Sequence, residues 1–203
     1  MVAILSLLAP LMVAAQTPGT SDMVYILSVD LGFPDATWAD AEARCRDNGW
    51  YLARILNQRD QELMVFKLAQ FELGRSSGFY NGNTTGSCTS WPCGMWFGAN
   101  DRTQEGEWKW TNGVLISQSS QTGFGGYDST YGKVAGVYPW GDNTTGDHNE
   151  PNDYGTGPWD VPQDPKGEDC GRLDTTFHQG RWNDYDCGSL NPYVCEMPVA
   201  NAS

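Results

Sequence analysis

The feature that most constrains the fold is a change in composition after residue 74. Before it, residues 38–49 (WADAEARCRDNG) and 58–73 (QRDQELMVFKLAQFEL) carry apolar residues at helical spacing. After it, the chain is rich in Gly, Ser, Thr, Asn and aromatic residues, and only short strand-like pieces interrupt it. The sequence therefore predicts an α+β domain in which two helices precede small sheets and long loops.

The ends of both helices are marked by polar residues. Thr37 is the expected N-cap of the first helix and Gly49 its stop, while Asn57 caps the second. In the first helix the spacing places Trp38, Ala41 and Cys45 on one face. In the second, the predicted core face is lined by Leu63, Phe66 and Gln70 and widened by Met64, Leu68 and Phe71.

Seven segments have the pattern of strands. Two lie near the helices, at Tyr25–Val29 and Leu52–Leu56. The other five are residues 95–99 (MWFGA), 107–110 (EWKW), 115–117 (LIS), 180–184 (GRWND) and 193–196 (YVCE). Phe97, Trp108 and Trp110 alternate with polar residues, so we assign them to the core.

The N-terminus has the character of a secretion signal. Residues 1–15 (MVAILSLLAPLMVAA) are apolar, too short to span a bilayer, and end in small residues, so we expect cleavage after Ala15. The alternative is a short buried strand. Residues 16–203 then form one domain, secreted and without a membrane span, with glycosylation sequons at Asn83, Asn143 and Asn201.

Six cysteines in a secreted chain indicate disulfides. A zinc site is disfavoured because only Cys88 and Cys93 are close in sequence and the two histidines are His148 and His178. Spacing alone leaves the pairing open.

The formal net charge of −13 disfavours nucleic acid as a partner because phosphates would be repelled. An acidic surface is compatible with calcium binding and equally with simple solubility.

Six fragments in one order resemble the C-type lectin-like domain, from about Thr37 to Glu196. They are WADAEARC, WFGANDRTQEGEWKW, EPND, EDC, RWNDYDCG and YVCE. The resemblance implies two helices, small antiparallel sheets and a long calcium-binding loop region. It also implies that Cys45 pairs with Cys195 and Cys170 with Cys187, which leaves Cys88 with Cys93.

The resemblance further implies a principal calcium site that also binds sugar. Calcium prefers carboxylate and amide oxygens, and takes six to eight of them. The ligands implied are Glu150, Asn152, Glu168, Asn183 and Asp184, and the carbohydrate contacts are Glu150, Asn152, Glu168 and Asn183. Ionised carboxylates only accept hydrogen bonds and amide NH₂ groups donate them, so each acid–amide pair completes the bonding of a sugar hydroxyl.

The order Glu150-Pro151-Asn152 resembles that of family members that bind mannose, N-acetylglucosamine, glucose or fucose, so the expected partners are glycans or glycoproteins ending in such sugars. In the family this proline is cis; the sequence leaves its isomer open. A second calcium site is implied at Asp101, Glu105, Asp153 and Asp169, with Glu168 shared.

Three segments are insertions relative to compact members, near 75–94, 117–139 and 154–167. The last separates Asp153 from Glu168 by more than the usual spacing. Oligomerisation through the insertions is open. Trp140, Trp159 and Tyr154 flank the expected site, and we favour a core role for them over stacking on sugar.

Two other functions would use the same acidic residues. A glycosidase would use two of these acids, but carboxylates on calcium are held ionised and have no proton to give, so we expect no enzyme. The stronger alternative is calcium-dependent binding of ice, mineral or protein.

Overall fold

The computed structural model describes residues 23–76, 94–104, 106–116, 140, 151, 167–174 and 180–198. Its regular elements are seven strands and two α-helices: β1 (Met23–Leu27), α1 (Trp38–Asp47), β2 (Tyr51–Leu52), α2 (Gln58–Ser76), β3 (Gly94–Asn100), β4 (Lys109–Trp110), β5 (Cys170–Asp174), β6 (Trp182–Tyr185) and β7 (Val194–Pro198). All strand pairs in the two sheets are antiparallel, as expected for this α+β domain.

Helix α1 forms as its sequence predicts. The Thr37 hydroxyl accepts a hydrogen bond from the Asp40 amide at 3.2 Å, which satisfies one of the free N–H groups of the first turn. Gly49 follows the helix with φ of 75°, a left-handed conformation that favours glycine. The buried face carries Trp38, Ala41 and Cys45, which confirms the predicted face.

Helix α2 forms as expected but turns a different face inward. The Asn57 side chain accepts from the Asp60 amide at 3.0 Å, so the predicted cap is confirmed. The prediction that Leu63, Phe66 and Gln70 line the core is wrong, because Leu63 and Phe66 are 37% and 58% exposed and Gln70 is exposed as well. The buried residues are Gln61, Met64, Leu68 and Phe71. Since α2 has apolar residues on both sides, periodicity alone could not select between them.

A three-stranded sheet of order β1-β7-β2 joins the two ends of the described chain. The disulfide Cys45–Cys195 links α1 to β7, the central strand of this sheet, and confirms the expected pairing. The predicted strand Tyr25–Val29 lies two residues earlier, as β1, because Ser28–Leu31 forms a 3-10 turn. The predicted strand Leu52–Leu56 is shorter in the structure, where Tyr51–Leu52 pairs with β7.

A four-stranded sheet of order β4-β3-β5-β6 carries the rest of the described strands. The predicted strands at 95–99, 107–110 and 180–184 correspond to β3, β4 and β6. Of the predicted strand 115–117, residues 115–116 are described, and there Leu115 forms an isolated bridge to Lys109. Strand β5 was not predicted, although it lies between β3 and β6 and is buried throughout.

Aromatic residues fill the core against this second sheet. The Trp182 ring lies 4.9 Å from Phe97, 5.7 Å from Trp110 and 5.5 Å from Trp140 between centroids. Trp108 packs edge-on against Trp140 at 4.6 Å. The predicted core roles of Phe97, Trp108 and Trp110 are confirmed, as is that of Trp140, which is 3% exposed. Trp159 and Tyr154 lie outside the described residues.

Neither described helix is long and apolar enough to cross a lipid bilayer.

Candidate functional site

Strand β6 carries two of the predicted calcium ligands next to each other. Asn183 is 9% exposed and Asp184 is 1% exposed. In the register of β6 with β5, Asn183 lies opposite Arg172 and Asp184 opposite Gly171. Because neighbouring strand residues point to opposite sheet faces, the two side chains leave β6 on different sides.

The turn into β5 brings two further predicted ligands to the same end of the sheet. Glu168 is half-buried and Asp169 is 6% exposed, and both precede Cys170, the first residue of β5. The disulfide Cys170–Cys187 then joins the start of β5 to the segment after β6. This disulfide confirms the expected pairing. It holds together the two segments that carry the predicted ligands, at the start of β5 and the end of β6.

The predicted second site is partly assembled. The Asp101 amide donates to the Asp169 carbonyl at 3.1 Å, so these two residues are neighbours across the end of β3 and β5. Asp101 is 3% exposed, and its Oδ2 accepts from the Gly106 amide at 2.9 Å. That hydrogen bond closes the short loop after β3.

Four predicted ligands lie outside the described residues: Glu105, Glu150, Asn152 and Asp153. Pro151 is described alone and is half-buried, and its isomer stays open. The expected third disulfide, Cys88–Cys93, and both histidines also lie outside the described residues. Within the described part of the chain, no group of three or more His, Cys, Asp or Glu side chains is close enough to hold a metal. The structure places residues of both predicted ligand sets at one end of the four-stranded sheet. They are Glu168, Asn183 and Asp184 of the first set and Asp101 and Asp169 of the second.

The chemistry of this part fits calcium. Glu168, Asp169 and Asp184 offer carboxylate oxygens and Asn183 an amide oxygen, which are the hard donors that calcium prefers. The soft donors near them, Cys170 and Cys187, are taken up by their disulfide.

A buried cation that sequence reasoning missed lies beside Asn183. Arg172 is 1% exposed and forms an ion pair with Asp174, Nη2 to Oδ2, at 3.1 Å. Its guanidinium carbon lies 3.5 Å from the centre of the Tyr185 ring, a cation–π contact. Gly94 makes room for it, since a Cβ there would come within 2.3 Å of the arginine Cδ. The charge opposite Asn183 is thus compensated inside the sheet.

Comparison with known proteins relates this chain to the C-type lectins. Residues 117–197 match the family model described as Lectin C-type domain, which spans β5, β6 and β7. Asialoglycoprotein receptor 2 from Mus musculus is 26% identical over 160 residues, which are 79% of this chain and 35% of that protein. C-type lectin domain family 4 member F from Mus musculus is 24% identical over 159 residues, 78% of this chain and 19% of that protein. The chain thus spans well under half the length of these relatives.

Solved structures show the same fold. The carbohydrate-recognition domain of mouse scavenger receptor C-type lectin superposes with a TM-score of 0.52 at 21% identity, covering 91% of this chain and 98% of that one. The trimeric structure of Kupffer cell C-type lectin receptor Clec4f gives a TM-score of 0.52 at 22% identity, covering 90% and 82%. The architecture of two helices and antiparallel sheets is shared with these domains.

Proposed function

We propose that this chain, which contains a C-type lectin domain, is a secreted protein that binds carbohydrate through calcium and prefers mannose-type sugars. One observation carries the proposal furthest. Asn183 and Asp184 are consecutive buried residues of β6, and the Cys170–Cys187 disulfide holds the end of that strand near Glu168 and Asp169. The family model covers all four residues.

The chemical roles follow from the donor types. Calcium, when bound, supplies coordination positions that two neighbouring sugar hydroxyls can fill. The carboxylates of Glu150 and Glu168 accept the hydroxyl protons, and the amides of Asn152 and Asn183 donate to the hydroxyl oxygens. Asp184 accepts no sugar proton in this scheme and serves the metal alone. Binding, rather than catalysis, is the activity that these roles support.

Retention on immobilised mannose tests the proposal directly. The chain should be retained in calcium and released both by a chelator and by free mannose. Asp184→Asn removes one negative ligand without changing side-chain size, so it should lose retention or need at least about tenfold more calcium. Asp47→Asn makes the same change at an exposed residue at the end of α1 and should be retained like the unmodified chain.

Other results of the same experiment would point elsewhere. Release by chelator but not by free mannose would favour the alternative, calcium-dependent binding of ice, mineral or protein. Retention without calcium, or none under any condition, would contradict the proposal.

The preference for mannose-type sugars rests on the order Glu150-Pro151-Asn152 and has its own test. The double substitution Glu150→Gln with Asn152→Asp exchanges donor and acceptor around the sugar hydroxyls. We expect glycan-array binding to shift from mannose toward galactose, with calcium dependence kept. An unchanged array profile would contradict the assigned preference.

Useful avidity for a shallow sugar site needs several sites together. One solved relative is described as trimeric. We propose that this chain also acts as an oligomer or on clustered glycans, which size-exclusion chromatography with light scattering would decide.

A further inference from the structure

Gln61 is a buried polar residue on the inner face of α2 and is 8% exposed. Its amide makes two hydrogen bonds across the molecule. Nε2 donates to the Gly180 carbonyl at 2.8 Å, and Oε1 accepts from the Trp182 indole N–H at 2.8 Å. One side chain of α2 thus contacts the two residues that flank Arg181, where β6 begins.

Strand β6 is the last strand in the order β4-β3-β5-β6 among the described strands. It pairs with β5 on one side, and on its other side Trp182 forms a single bridge to Trp140. Backbone hydrogen bonds to β5 fix its register, but they leave its tilt and lateral position to contacts from other elements. Helix α2 provides these contacts at the start of the strand.

Close packing reinforces the two hydrogen bonds. Gly180 has φ of 85°, and a Cβ there would come within 2.8 Å of Val65 Cγ2. The glycine therefore allows α2 to approach the turn before β6. The Trp182 ring is held on its other sides by Phe97, Trp110 and Trp140. Gln61 supplies the polar contact that fixes the rotation of this indole.

The residues after Trp182 are Asn183 and Asp184. Successive strand residues rise by about 3.3 Å, so any shift of the Trp182 backbone moves both oxygen donors. Metal ligands lose affinity when the groups that orient them are removed, commonly by 10- to 100-fold. The position of β6 thus connects the inner face of α2 to the metal ligands.

We propose that Gln61 is a positioning residue, which holds the start of β6 so that Asn183 and Asp184 meet the calcium; this rests on the proposed function of the site. Gln61 touches neither metal nor sugar and acts through Gly180 and Trp182.

Gln61→Met is the main test, because it removes both hydrogen bonds at nearly constant volume. Hydrogen–deuterium exchange over residues 180–185 is measured in calcium-free protein, and calcium affinity is measured by titration of the folded protein. We expect faster exchange at β6 and calcium affinity reduced about tenfold or more. Gln61→Asn keeps an amide but shortens its reach, and should give a smaller change of the same kind if Gln61→Met folds poorly.

Two control variants separate positioning from general stability. Gln70→Met makes the same chemical change on the exposed side of α2 and should alter neither measurement. Leu68→Ala removes core packing from the inner face of α2 and lowers global stability, but it should leave the calcium affinity of the folded protein within about twofold.

The outcomes are distinct. If Gln61→Met leaves hydrogen–deuterium exchange at β6 unchanged, the positioning role is overturned, whatever the calcium affinity of that variant. Unchanged calcium affinity, or an equal loss in Leu68→Ala, overturns its connection to the site. If the unmodified chain binds no calcium, the proposed function fails, and the exchange data still decide whether Gln61 holds β6.

Discussion

At the scale of single residues, Arg172 has the environment least expected of its type, because arginine is seldom fully buried. Asp174 neutralises it at 3.1 Å, Tyr185 covers its guanidinium, and Gly94 leaves space for its stem. Its Nε and Nη1 have no hydrogen-bond partner in the described structure. Asp174 is therefore the main compensation for a buried charge.

Asp174→Asn should consequently destabilise the fold strongly. Breaking a buried ion pair by removing one partner leaves an uncompensated charge, which costs about 3–5 kcal/mol in the free energy of unfolding. Glu42→Gln removes an acid from the exposed pair with Arg46 and should cost about 0.5 kcal/mol or less. Urea unfolding in chelator measures both. Equal effects of the two substitutions would contradict the structural role of Asp174.

Residue identities indicate the donor chemistry of the proposed site, which stays a prediction, but they do not indicate its supports. The acids and amides around Pro151 and on β6 stand out because carboxylate and carboxamide residues recur in pairs. Gln61 does not stand out, since a glutamine on a helix is typically exposed. Only the folded structure shows that it faces Gly180 and Trp182.

At the scale of elements, sequence patterns located both helices and their N-caps but misjudged one helix face and one strand. The caps Thr37 and Asn57 act locally, so local sequence is enough to identify them. Strand β5 (CGRLD) lacks alternation and β-branched residues, and its pairing with β3 and β6 is set by tertiary contacts. The inner face of α2 was misjudged for the same reason.

The two described disulfides should differ in what they stabilise. On the chain-entropy model, Cys45–Cys195 closes a sequence separation of 150 and contributes about 5 kcal/mol, while Cys170–Cys187, with a separation of 17, contributes about 3 kcal/mol. To measure this, both cysteines of one disulfide are replaced by alanine, and urea unfolding of each variant is followed without calcium. We expect the first variant to lose more stability.

Calcium affinity should show the opposite order. Cys170 and Cys187 hold the segments that carry Glu168 and Asn183, whereas Cys45 and Cys195 lie at α1 and β7. The paired variant of the second bridge should therefore weaken calcium binding more than that of the first, provided both fold. Equal weakening would contradict the placement of the site at the β5–β6 end.

At the scale of the whole molecule, the calcium-free protein should respond to pH through a buried acid that belongs to neither proposed calcium site. Glu196 on β7 is 0% exposed, and its Oε1 lies 2.5 Å from Arg54 Nε. Burial raises the pKa of Glu196, although Arg54 opposes the rise. Burial also raises the pKa of Asp60, near Tyr25.

An acid with a raised pKa in the folded state keeps its proton where the unfolded chain has lost it. Its contribution to stability is full below the unfolded pKa and is lost as pH rises through the folded pKa. In chelator, the stability of the unmodified chain relative to Glu196→Gln should therefore fall as pH rises from about 4. Urea midpoints at several pH values measure it, with exposed Glu62→Gln as control. A stability difference between the unmodified chain and Glu196→Gln that is flat or rises with pH would contradict the raised pKa of Glu196.

The central claim is that calcium sits against β6 with coordination positions left for a sugar. A crystal structure grown in millimolar calcium chloride with a mannose disaccharide tests it most directly. We expect calcium at about 2.3–2.6 Å from the Asn183 amide oxygen and the Asp184 carboxylate, with two sugar hydroxyls completing its coordination. Well-ordered Asn183 and Asp184 side chains that contact only water would contradict the account.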